Sequence, residues 1–138
     1  MSQFKKATER LLDYLDMIPD NYKELTQHHL KVKGGELVST GLINNEKLSV
    51  ARMHLSCKGI TSDWHTHESS ESFILQEGSP YFMEIEGLKD CVEVSYTRTC
   101  YVPPNTPHRV AGTLGESWSI IVLIPGSNTF PKGLNDGE

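Results

Sequence analysis

From Glu36 onward the chain alternates between apolar and polar residues in short runs. The runs are 36–43, 48–57, 71–77, 80–87, 91–96, 99–103, 107–112 and 117–124. An alternation of period two is that of a strand, whose side chains point to opposite faces in turn. Between the runs stand Asn44-Asn45, Gly59, Gly78, Gly87, Pro103-Pro104-Asn105 and Gly115. These residue types reverse a chain at little steric cost. Short strands at this spacing predict a closed sandwich or barrel. The stretch 3–18 has a different period. Phe4, Ala7, Leu11, Leu12, Leu15 and Ile18 recur every three or four residues, which places them on one face of a helix. Pro19 ends it. Residues 20–33 read as a polar connection closed by Gly34-Gly35. The expected organisation is therefore a helix and connecting arm over 1–35, a barrel over 36–125 and a tail over 126–138.

Composition agrees with strands. Alanine occurs only 3 times, whereas Val, Ile and Thr number 8, 8 and 10, and β-branched residues favour the pleated surface. Mean hydropathy is −0.39, and no apolar run reaches the roughly 20 residues needed to cross a bilayer. The net charge of −5 carries no basic stripe, so neither nucleic acid nor an anionic membrane surface is expected as a partner. No apolar core follows the opening Met-Ser-Gln-Phe-Lys-Lys, which points to a cytoplasmic location. Cys57, Cys91 and Cys100 cannot all pair and are expected as reduced thiols.

The candidate chemistry lies in the histidines. His65-Thr66-His67 stands shortly before Glu71. On extended backbone, residues i and i+2 face the same side, so both imidazoles can aim at one point. Glu71 cannot reach that point on the same straight strand. Glu68-Ser69-Ser70 is polar and turn-compatible, and a turn there returns Glu71 opposite the histidines. Two imidazoles and a carboxylate can then converge on a metal ion. In this composition the pattern H-x-H-x3-E should arise by chance roughly 0.02 times. Turn geometry also separates Glu71 from Glu68, which is expected in the exposed turn.

The segment Gly59 to Gly78 resembles the first motif of the cupin superfamily, G-x5-H-x-H-x3,4-E-x6-G, at every defined position. The segment Thr97 to Gly112 resembles the second, G-x5-P-x-G-x2-H-x3-N. Pro103 and His108 match it, and Thr97, Asn105 and Gly112 replace its two glycines and its asparagine. The resemblance implies an all-β double-stranded β-helix, a jelly-roll-like barrel, here with one N-terminal α-helix outside it. It also implies one divalent ion per chain, held by His65, His67, Glu71 and His108. That ligand set does not choose among Fe, Mn, Ni, Co, Cu and Zn, with Fe, Zn, Mn and Ni foremost.

Strand parity then names pocket candidates. Phe73 and Leu75 share Glu71's face, Tyr81 and Met83 are on the apolar face of the next strand with Ile85, and Val110 shares His108's face. Arg52 and His54 lie together on one face of 48–57 and are candidates as well. Trp64 faces away from the ligands, and His28-His29 reads as solvated surface. Three nitrogens and one oxygen leave open positions on a six-coordinate ion, as catalytic sites do. The expected function is a metal-dependent enzyme on a small organic molecule, first an oxygen-using dioxygenase. The alternatives are an isomerase or lyase working through an enediolate, and a non-catalytic small-ligand binder. A homodimer is expected, with Ser72, Ile74 and the N-terminal helix as contacts.

Overall fold

A computed structural model describes residues 26–126, and the helix expected over 3–18 lies outside them. The described part is built of strands: β1 (Thr26–Val32), β2 (Gly35–Asn44), β3 (Ser49–Leu55), β4 (Ser70–Gly78), β5 (Tyr81–Ile85), β6 (Val92–Val94), β7 (Cys100–Val102), β8 (His108–Thr113) and β9 (Ser117–Ile124). They form a six-stranded sheet of order β1-β2-β3-β9-β4-β7 and a three-stranded sheet of order β6-β5-β8. All pairings are antiparallel. The alternating runs from Glu36 onward each contain one strand, so the fold is all-β.

β1 departs from the expectation of a polar connection over 20–33. It pairs along its length with β2, with Leu30 opposite Leu37 and both buried. Of its seven residues only Leu30 and Val32 are strongly apolar. It is an edge strand, so a weak pattern is enough: one neighbour supplies its hydrogen bonds and one face needs cover.

The two inner faces close on one core. It contains Phe73 and Leu75 of β4, Tyr81, Met83 and Ile85 of β5, Val110 of β8, Met53 and Leu55 of β3 and Ile121 of β9. Register arranges these side chains in tiers. Glu71 lies opposite Val102 and Leu123, Phe73 opposite Cys100 and Ile121, and Leu75 opposite Ser119. Across the barrel, Ile85 lies opposite His108, Met83 opposite Val110, and Tyr81 opposite Thr113. The hydrogen bond of 2.8 Å between the Tyr81 hydroxyl and Ser119 Oγ ties the sheets together at the Leu75 tier.

Gly78 and Asn105 are among five described positions with a left-handed backbone. Gly78 has φ 96°, and a Cβ there would strike the Glu116 carbonyl. Asn105, one of the residues that depart from the second motif, has φ 57°. Asn tolerates this region better than other side-chain-bearing residues, so the turn before His108 forms without the glycine.

Candidate metal centre

The connection between β3 and β4 is not free loop. Its backbone runs beside β8: Gly59 N–H donates to Thr113 O, Ser62 N–H to Val110 O, and His65 and His108 exchange both backbone hydrogen bonds at 3.0 Å. Ser62 Oγ, buried, accepts from Val110 N–H at 2.9 Å. This strip is extended, so His65 and His67 turn to the same side, as the spacing predicts. β4 then brings Glu71 back and β8 brings His108. The ligand-capable atoms of the four side chains all lie within 4.8 Å of one another. Glu71 is 6% exposed and His108 1%, whereas Glu68 is exposed.

The tautomers follow from the backbone. His65 Nδ1 lies 2.8 Å from the Asp63 carbonyl and His108 Nδ1 2.8 Å from the Thr106 carbonyl. A carbonyl oxygen only accepts, so each Nδ1 carries the proton and donates. In the neutral ring, each Nε2 is then a lone pair aimed into the cluster. His108 Nε2 is 2.8 Å from Glu71 Oε1. A lone pair and a carboxylate at that distance need a proton or a cation between them. His67 Nε2 is 3.2 Å from the same oxygen, but it is a buried nitrogen without a hydrogen-bond partner. Three imidazole nitrogens, two of them fixed from behind by carbonyls, and one carboxylate are a donor set that fits a divalent ion.

Electrostatics point the same way. Burial, helped by the neighbouring His108, lowers the His65 pKa to about 4, which keeps the ring neutral. Burial alone would raise the Glu71 pKa, but hydrogen bonding and positive charge from His108 and His67, whenever the facing Nε2 carries a proton in place of a cation, outweigh it and hold it down at about 2. Both shifts make the metal-free fold acid-labile. A folded pKa below the unfolded one means that the unfolded chain takes up the proton first as pH falls. The His65 contribution is complete above about 6.5 and is lost toward about 4. That of Glu71 is complete above about 4.5 and is lost toward about 2. Urea unfolding of metal-free protein should show stability declining through both windows. A flat profile from about pH 7 to about pH 4 would contradict the buried neutral His65.

The pocket candidates separate by tier. The Phe73 ring centroid is 6.1 Å from that of His108, so Phe73 lies against the cluster. Met83 and Val110 stand one tier further along their strands, and Leu75 and Tyr81 a tier beyond that. Tyr81 is fully buried and its hydroxyl pKa is pushed up by burial, so it belongs to the barrel floor. Arg52 and His54 do not line the interior. Met53 and Leu55, of opposite parity, point into the core, while Arg52 lies 4.4 Å over the Trp118 ring and His54 stacks on Trp118 at 3.8 Å. Both stand on the outer face of the six-stranded sheet, where His54 Nε2 also meets Glu116 Oε2 at 3.0 Å. Trp64 is turned outward and 43% exposed, with the Arg109 guanidinium 5.1 Å from its ring centre. The residues that sequence reading missed are Asp63 and Thr106, which act through their carbonyls. Each stands two positions before a cluster histidine, a shared spacing that is visible in the sequence.

No protein-family model matches the sequence, and no curated protein matches it. Solved structures do. A chain from "Crystal structures of DMSP lyases RdDddP and RnDddQII" superposes with a TM-score of 0.61 at 16% identity, covering 70% of this chain and 51% of that one. This chain thus spans about half the length of that lyase. A predicted oxalate decarboxylase from Thermotoga maritima gives a TM-score of 0.58 at 19% identity, over 75% of this chain and 96% of that one. KdgF from Halomonas sp. gives 0.59 at 16% identity, over 80% and 94%. Strand order, the clustered side chains and these likenesses agree on the architecture: this chain has the cupin fold.

Proposed function

We propose that this chain is a metal-dependent enzyme acting on a small organic molecule, with one divalent ion held by His65, His67, Glu71 and His108. The observation that carries the reading is the convergence of these four donors, with Glu71 and His108 buried and the rings of His65 and His108 locked by backbone carbonyls. The bound ion would supply Lewis acidity and, if it is iron, electrons for O2 chemistry. The chain's own groups orient the donors, exclude water and shape the pocket. Phe73, Ile85, Val102 and Ile121 are buried beside or one tier from the ligands, so the walls suit the apolar body of a small substrate. Arg52 and Arg109 lie on outer faces, so the substrate's own charge is expected to be met at the ion.

Dioxygenation is the first reading. The side chains next to the four donors are apolar, and the donors themselves would be engaged as ligands, which favours chemistry at the ion over protein acid–base chemistry. Lyase, decarboxylase or isomerase chemistry is the second reading, supported by the likeness to the DMSP lyase and to the predicted oxalate decarboxylase. The test is elemental analysis after purification without chelator, then O2 uptake by iron-loaded protein with a panel of small carboxylic acids and thiols. About one metal equivalent with substrate-dependent O2 uptake supports the first reading. Metal with anaerobic turnover supports the second. Less than about a tenth of an equivalent, even after refolding with Fe, Mn, Ni or Zn, overturns the metal-enzyme reading.

A further inference from the structure

Behind His65 and His108, on the outer side of the barrel wall, stands a second row of residues. The two histidines exchange their backbone hydrogen bonds as an isolated bridge, outside any continuous ladder. The register of that bridge sets Trp64 opposite Arg109, and the β5–β8 pairing sets Arg109 opposite Glu84. Side chains alternate on extended backbone, so the wall carries an inner row and an outer row. Ile85, His108 and His65 make the inner one. Glu84, Arg109 and Trp64, each one residue away along the chain, make the outer one.

The outer row is joined side chain to side chain. Arg109 Nη2 donates to Glu84 Oε1 at 2.9 Å. The Arg109 guanidinium lies 5.1 Å from the centre of the Trp64 ring, close enough for a cation–π contact. Arginine suits the middle place, because a planar guanidinium can stack on a ring while its edge donates to a carboxylate. Its Nε is buried without a hydrogen-bond partner among the described residues. A surface charge kept only for solubility would turn that nitrogen to water. Trp64 also stands between Asp63 and His65, and the Asp63 carbonyl accepts from His65 Nδ1 at 2.8 Å. A swing of Trp64 therefore shifts both the ring and the carbonyl that orients it. At this point the bridge has only its own pair of backbone hydrogen bonds to resist the swing.

We propose that Glu84, Arg109 and Trp64 form an outer clamp that holds the His65 strip in register against β8 and so fixes where His65 and His108 aim their Nε2 atoms. They are positioning residues, acting through the backbone of the two histidines. The purpose of the clamp rests on the metal-site reading, whereas its existence can be tested without metal.

Metal-free full-length protein is first compared by NMR at about pH 8, where an ordinary imidazole is neutral. The ring nitrogen shifts of His65 report its tautomer. Wild type should show the Nδ1–H form alone. Trp64→Ala and Arg109→Gln should shift it toward a mixture with the Nε2–H form. Trp64→Phe, which keeps a ring face for the guanidinium, should restore the single form. An unmixed wild-type tautomer in both Trp64→Ala and Arg109→Gln overturns the clamp. So does an equal rise in amide exchange throughout β3 and β9, because that is general loosening and not lost aim. Zn alone is then titrated into each variant in competition with a chelating dye. Trp64→Ala and Arg109→Gln should weaken its affinity about tenfold, with Trp64→Phe close to wild type. Unchanged affinity in Trp64→Ala and Arg109→Gln overturns the clamp. Wild-type protein that binds no Zn overturns the metal-site reading instead, and the tautomer of His65 then decides the clamp alone.

Discussion

Glu71→Gln is expected to weaken metal affinity by well over tenfold, whereas Glu68→Gln leaves it almost unchanged. The two carboxylates are close neighbours in sequence, but Glu71 is buried between imidazoles and Glu68 is exposed. Gln keeps Glu71's shape and removes the negative charge that would face the ion. It also supplies a poorer neutral donor. Losing a buried charge partner costs on the order of 2–5 kcal/mol, and each 1.4 kcal/mol or so is tenfold in affinity. A solvated surface charge is worth a few tenths of a kcal/mol at most. His108→Ala should match Glu71→Gln in direction, although it lies on the opposite sheet. Arg52→Gln and His54→Gln, on the outer face, should be silent. Competition with a chelating dye reads all five variants. Equal effects of Glu68→Gln and Glu71→Gln would show that the donors do not work as a set.

Chelation should destabilise the whole domain. An ion that binds only the folded chain stabilises it by mass action, about 4 kcal/mol when free metal is a thousand times Kd. For a domain of this size that is a fall in Tm of the order of 10 °C on removal. Binding of the ion displaces protons from the ligand imidazoles and so weakens as pH falls, and the fall should therefore be larger at about pH 8 than at about pH 6. Thermal scans with and without EDTA, followed by metal replenishment, measure it. A Tm insensitive to EDTA in protein shown to hold one equivalent would place the metal away from the four donors.

How much of this was legible in the sequence depends on the faces. Glu71, Phe73 and Leu75 alternate with Ser72, exposed Ile74 and Gln76, so parity alone sorts β4 into core and surface, and the sheet agrees. His65 and His67 are similar: extended backbone leaves them one common side. β1 was not legible, because an edge strand with two histidines and a lysine among its seven residues has little apolar contrast. Arg52 and His54 could be assigned to a common face, but not to the inner or the outer one. That choice depends on which way β3 packs against β9, and Trp118, 64 residues beyond His54, decides it. Depth within the barrel was equally hidden. Parity makes Phe73 and Tyr81 equivalent, and only the register between strands places one at the cluster and the other on the floor.

The donors are divided among three pieces of chain. Glu71 belongs to the six-stranded sheet, His108 to the three-stranded sheet, and His65 and His67 to the strip that runs beside β8. No single strand can leave with the whole coordination set. An ion bound by all four would therefore be released in steps as the sheets part, so its dissociation rate would be a clock for that opening. Metal exchange and amide exchange at β8 and β4 should then share one rate-limiting motion.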